Sequence, residues 1–183
     1  MGRMSYVKKS IAAAVCMALC AVLPLVFHSV PNSGKIILPM HFPVLLCGLI
    51  CGWPFGLLCG IAGPTLSTLI IGMPPVPALP SMMVELASYG LVAGAMMQAV
   101  QTRRIYADLY ISLFSALIVG RVLAGISRAL IFSSGNYSMA VWATSYFITA
   151  LPGLALQLIL LPNIVFALEA ANLIPKRYPK ASP

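Results

Sequence analysis

Apolar and polar positions fall into long blocks along this chain. Apolar runs cover about Ser10 to His28, Met40 to Gly52, Phe55 to Ile71, Ser81 to Val100, Tyr106 to Phe132 and Met139 to Leu168, with short polar or basic stretches between them. A helix rises about 1.5 Å per residue, so roughly 20 apolar residues cross a hydrocarbon core of about 30 Å. Most of the runs meet that length. The second is short, interrupted by Pro39 and Pro43 and followed by Pro54. The pattern predicts an all-α membrane protein of six transmembrane helices. A membrane β-barrel would alternate apolar and polar residues, and runs such as Ile11 to Phe27 do not.

Small residues inside the runs predict close helix packing. Ala14 and Ala18 form an AxxxA step in the first segment. Gly48, Gly52, Gly56 and Gly60 recur across the second and third, Gly90 and Gly94 lie in the fourth, and Ala116, Gly120 and Ala124 in the fifth. The four-spaced glycines read as packing positions. Trp53-Pro54 is expected to make a tight turn between two short packed helices, because proline disfavours one straight helix. Pro74, Pro75, Pro77 and Pro80 predict a stiff, extended connection over Met73 to Pro80. Ser81 is the expected N-cap of the next helix. The last segment is expected to break or kink at Pro152-Gly153 and at Pro162.

Composition agrees with the pattern. The chain is 61% hydrophobic and 8% charged, with a mean hydropathy of +0.99, whereas a soluble domain carries about 25% charged residues. A single integral membrane domain is expected over residues 1–183, with a basic start at 1–9 and a basic, soluble tail at 175–183. The first segment is expected to be a real helix and not a cleaved signal, because His28-Ser29-Val30-Pro31-Asn32 offers no small-x-small site.

The net charge of +8 does not point to nucleic acid, because the basic residues sit between segments. Arg3, Lys8 and Lys9, then Arg103 and Arg104, then Lys176, Arg177 and Lys180 fall on one side if six segments alternate, and only Lys35 falls on the other. The positive-inside rule makes both termini cytoplasmic. The loops at 29–39, 72–80 and 133–139 then face outward. The five cysteines all lie in apolar runs, which argues against a disulfide framework. Cys16/Cys20 and Cys47/Cys51 have a spacing that could hold a soft metal. Without a companion His or Met cluster, packing is the better reading, and no metal or cofactor is expected.

The candidate chemistry is electrostatic. Glu85, Arg121 and Arg128 are ionisable groups inside apolar segments, and each costs at least a few kcal/mol at mid-membrane without a partner or an aqueous cavity. The expected topology brings all three, with Trp142 and Tyr146, to the outer half of the bilayer. Tyr89 on the Glu85 segment, and Lys35, His41 and Asn136 toward the outer loops, complete the candidate substrate-binding set. Blander readings stand beside these. Glu85 and Arg128 could be a salt bridge stapling two helices, and Trp142 and Tyr146 could be interfacial belt residues. His28 and His41 read as wetted loop residues near the outer interface before they read as metal ligands. Gln157 and Asn163 read as caps for backbone freed by the prolines of the last segment. An arginine in excess of one pair favours an anionic or strongly hydrogen-bonding ligand.

No catalytic constellation is present: no Ser/His/Asp set, no P-loop and no HExxH. Of three acidic residues, Asp108 and Glu169 are expected at the cytoplasmic ends, which leaves too few intramembrane carboxylates for an ion pump. The chain is not expected to be an enzyme. It binds something and carries no engine.

Six short helices, the AxxxA first helix and the stretch HFPVLLCGLICGWPFGLLCGIAGPTLSTLIIGMPP, read with MMVELASYGLVAGAM, resemble the substrate-binding S components of energy-coupling-factor (ECF) vitamin transporters. The resemblance covers nearly the whole chain. It implies a multi-pass protein of the bacterial plasma membrane that binds one micronutrient in an outward-facing cavity. It implies partners: a transmembrane coupling protein with two ATP-binding subunits, met through Ala14 and Ala18. It also implies gating by the loops Ser29–Pro39 and Met73–Pro80. The substrate stays open among folate-, pantothenate-, corrinoid- and queuosine-type compounds, and the two arginines favour an anionic group. The alternatives are a membrane assembly or structural subunit, and a small secondary carrier or channel. The latter should show inverted repeats, which are not visible.

Overall fold

The structure, a computed structural model, describes residues 4–27, 36–129 and 139–178. Helix α1 spans Tyr6–Val26, α2 His41–Cys51, α3 Trp53–Ile71, α4 Leu79–Ala99, α5 Ile105–Ser127, α6 Met139–Ala143 and α7 Leu151–Ala170. A 3-10 turn, Val76–Ala78, precedes α4, and a π-helical turn, Thr144–Ile148, joins α6 to α7. Among the described residues all regular structure is helical, and α1, α3, α4 with its leading turn, α5 and α7 are long and apolar enough to cross a membrane. Helix α2 has 11 residues, about 16 Å of rise, and crosses only part of a bilayer core.

Several boundaries differ from the sequence reading, for local reasons. The reversal between α2 and α3 occurs at Gly52, not at Trp53-Pro54. Gly52 has φ +95° and is at once the C-cap of α2 and the N-cap of α3. Pro54 sits in the first turn of α3, where its missing N–H costs nothing, so it starts the helix. Of the two expected short helices, only α2 is short, and α3 runs 19 residues. Met73–Pro80 is not extended throughout, because Val76–Ala78 is 3-10 and α4 begins at Leu79. Ser81 is therefore inside the helix and not its N-cap. Its hydroxyl donates back to the Ala78 carbonyl at 3.0 Å. In the last segment the break falls at Thr149–Ala150, and Pro152 lies in the first turn of α7.

Glycines set how α2, α3 and α4 fit together. A Cβ on Gly48 or on Gly56 would overlap the Gly90 carbonyl, one on Gly60 would overlap the Leu86–Ala87 backbone, and one on Gly94 would overlap Trp53. These pairings run α3 antiparallel to α4 and α2 parallel to it. Backbone meets backbone, as at small-residue crossings in membranes. Helix α1 seals the other side of α3, with Ala13, Cys16 and Cys20 buried and Cys20 against Gly63. The cysteines serve as packing residues. The Cys20, Cys47 and Cys51 thiols donate to the carbonyls of Met40, Phe55 and Lys9. Outward faces carry Ile11, Val15, Ile70, Phe114, Ile118, Ile159 and Leu160, as a lipid-facing bundle requires.

One end of the bundle gathers the basic stretches. Lys9 lies beside Cys51, Gly52 beside Gln98, and the Arg103–Arg104 link follows α4. The C-terminal segment arrives at the same end and is not a free tail. Arg177 is 6% exposed. Its Nε donates to Asp108 Oδ2 at 2.6 Å, and its Nη2 donates to the Met97 and Val100 carbonyls at the end of α4, each at 2.6 Å. Its backbone N–H donates to Glu169 at 2.9 Å. Tyr178 also donates to Asp108, while the Thr102 N–H and hydroxyl donate to its other oxygen at 2.8 and 2.6 Å. Asp108 is thus a buried carboxylate with every oxygen satisfied, which is what makes burying it tolerable. This latch ties α4, α5 and α7 together.

A buried polar zone in the half of the bundle away from the basic end

Arg121 lies on α5, roughly 20 Å along the helix from the Asp108 latch. It is 1% exposed. Its Nε and Nη2 have no hydrogen-bond partner. These two nitrogens form one edge of the guanidinium, the edge that can grip both oxygens of a carboxylate or phosphate. The Phe147 ring lies 5.8 Å from the guanidinium carbon, a cation–π distance. Trp142 closes the same corner. Its indole N–H donates to the Arg121 carbonyl at 3.3 Å, and its ring meets Phe147 edge-on at 5.2 Å. Gly125 makes room for it, since a Cβ there would overlap the indole. Trp142 is therefore packed against α5 as well as being partly exposed, more than a belt residue would require.

The facing wall comes from α2 and α4. Tyr89 is fully buried, and its ring fills the space beside Gly120, next to Arg121. Glu85, one turn away on α4, pairs with His41 Nε2 at 3.2 Å and accepts the Tyr89 hydroxyl at 3.4 Å. The His41 and Tyr89 rings lie 5.2 Å apart. His41 is the first residue of α2 and is 1% exposed. It is not the wetted loop residue that its position near a segment end suggested, because α2 begins at depth, level with Glu85. Its Nδ1 has no partner. The Glu85 carboxylate thus pairs with His41, in the role for which the sequence offered Arg128. Arg128 caps the end of α5, half-buried.

Helix α7 packs against α2 and α5, and its buried face includes Gly153, Gln157, Leu161 and Val165. Gln157 is fully buried, and neither its Oε1 nor its Nε2 has a partner. It does not cap backbone freed by the prolines, as the sequence suggested. Asn163 does hydrogen-bond backbone, donating to the Ile159 carbonyl at 2.7 Å. Gln157 and Phe147 went unmarked as site residues in the sequence, because a lone amide or phenyl in an apolar run looks like any packing residue.

The candidate set thus divides. The structure gathers His41, Glu85, Tyr89, Arg121 and Trp142 in one zone. Tyr146 belongs by its backbone to the π-helical turn beside them, but its side chain lies outside what is described. Lys35 and Asn136 lie outside the described residues, with residues 28–35 and 130–138 around them. Ala14 and Ala18 are exposed on α1, on the face turned away from Ala13, Cys16 and Cys20. Among the described residues no group of three or more His, Cys, Asp or Glu side chains could hold a metal ion.

Such a zone is costly to stability. An unpaired guanidinium edge and an unpaired amide buried at membrane depth each cost roughly 1–3 kcal/mol or more relative to satisfied groups. Unsatisfied donors and acceptors of this kind can hydrogen-bond a polar molecule. A family model described as "ECF transporter, substrate-specific component" matches residues 8–168. Neither the curated proteins nor the solved structures searched contain a match.

Proposed function

Because the chain belongs to the substrate-specific components of ECF transporters, we propose that it is the high-affinity binding component for a vitamin or vitamin precursor bearing an anionic group. Its transport energy comes from partners: a transmembrane coupling protein and two ATP-binding subunits. The observation that carries this reading is the buried, unpartnered edge of Arg121, walled by His41, Glu85, Tyr89, Trp142 and Phe147. Arg128, Tyr146, Lys35 and Asn136 are proposed as further substrate contacts. The convergence of the basic stretches at one end supports a cytoplasmic placement of that end in a bacterial plasma membrane. The polar zone then lies in the outer half of the bilayer, where a captured nutrient would first arrive.

The exposed Ala14 and Ala18 face of α1 is the proposed contact with the coupling protein, since small residues allow close helix approach. Copurification tests the assignment. The tagged wild-type chain should bring down an ATPase-bearing membrane module. Ala14→Leu and Ala18→Leu should lose that module while the chain keeps its thermal unfolding midpoint. If both variants retain the module and support uptake, the docking assignment is wrong. If the wild type never captures such a module, the transporter reading is wrong.

A further inference from the structure

Among the described residues, the buried side-chain atoms without a partner, on His41, Ser67, Arg121 and Gln157, all lie away from the basic end. At the basic end, Asp108 accepts at both oxygens and Arg177 donates from Nε and Nη2. In the other half, Arg121 Nε and Nη2 and both amide atoms of Gln157 have no hydrogen-bond partner. Arg121 explains an acid on the substrate. It says nothing about Gln157, whose amide is as deeply buried.

Two registers relate the amide to the guanidinium. Asp108 on α5 and Glu169 on α7 share Arg177. From those anchors Arg121 lies roughly 20 Å and Gln157 roughly 18 Å toward the other end. At that other end the guanidinium faces Phe147, and Gln157 lies about two turns into α7 beyond the Thr149–Ala150 break. Gln157 is thus within about two helical turns of Arg121, on its basic-end side. Helices α5 and α7 are in contact, and packed helix axes are about 8–10 Å apart. One vitamin-sized molecule can reach both.

The two groups ask for different chemistry. The guanidinium edge offers donors only and takes an acid. The amide offers a donor and an acceptor side by side, and a carboxylate, which only accepts, would leave Oε1 buried and unpaired. The complement of an amide is another amide-type edge: a carboxamide, a lactam or a ureido group.

We propose that Gln157 is a specificity-determining residue, and that the substrate carries an amide-type hydrogen-bonding edge deeper in the bundle than the acid group held by Arg121. This rests on the reading of the polar zone as the substrate site. It adds that an acid alone is a poor substrate. A site built to hydrogen-bond a polar group rejects analogues lacking it far more strongly than a site of apolar contacts does.

The test uses the detergent-purified full chain, incubated with the small-molecule fraction of a cell extract. Captured compounds are identified by tandem mass spectrometry, and the affinity of the captured compound is then measured on Gln157→Leu and Gln157→Glu. The expected compound has both an acid and an amide-type group. Gln157→Leu should weaken its binding roughly 10- to 100-fold, and Gln157→Glu, which replaces the amide donor with acceptor oxygen, should also weaken it. In the absence of compound, Gln157→Leu should melt no lower than wild type, since it removes an unsatisfied buried amide. A purely structural glutamine would show the opposite pattern. A captured acid without an amide-type group, or unchanged affinity in Gln157→Leu, overturns this inference and leaves the transporter reading standing. Capture of no compound overturns both.

Discussion

Arg121 is the residue on which the functional reading turns, and its chemistry is more specific than its charge. An ammonium in its place would keep the charge and lose the two-nitrogen edge that grips an acid in the plane. Charge inside an apolar run was legible in the sequence, so Glu85 and Arg121 stood out at once. Their partners were not. His41 is 44 positions from Glu85 in sequence, and only the depth at which α2 begins brings the two together. Gln157 was misread because an uncharged amide near prolines has an ordinary explanation, and only its lack of any partner removes that explanation. Arg177 looked like a solvated tail residue, because nothing local marks the carboxylate it meets.

Helices and turns were more legible than contacts. Long apolar blocks, the short proline-flanked second segment and the packing role of the four-spaced glycines all appear in the structure. Turn positions differ from the sequence reading by one to three residues at three of the prolines. Pro54, Pro80 and Pro152 sit in first turns, where proline is at home. The glycine junction makes a definite claim about stability. Gly56→Ala puts a methyl into the Gly90 carbonyl, with backbone on both sides and no flexible side chain to yield. It should destabilise the bundle by about 1–3 kcal/mol, seen as a lower midpoint in a thermal unfolding assay in detergent. An unchanged midpoint would mean that α3 and α4 are not in backbone contact.

The whole molecule is a bundle with a closed end and a polar end. The latch closes the first by joining α4, α5 and α7 through one arginine. Removing one partner of a buried ion pair costs about 3–5 kcal/mol. Arg177→Ala, which strands Asp108, should therefore lower the unfolding midpoint markedly and expose the C-terminal segment to carboxypeptidase. Wild-type resistance in that variant would show that the latch does not hold the tail. At the other end the molecule keeps polar groups unsatisfied that a purely structural subunit would have paired or replaced with apolar ones. The central claim is that those groups exist to bind a substrate. Native mass spectrometry of the wild-type chain beside Arg121→Ala, both confirmed as folded by their unfolding midpoints, tests it most directly. The wild type is predicted to carry a bound small molecule with an acid group, and the variant to have lost it. The same small molecule on both proteins would contradict the account.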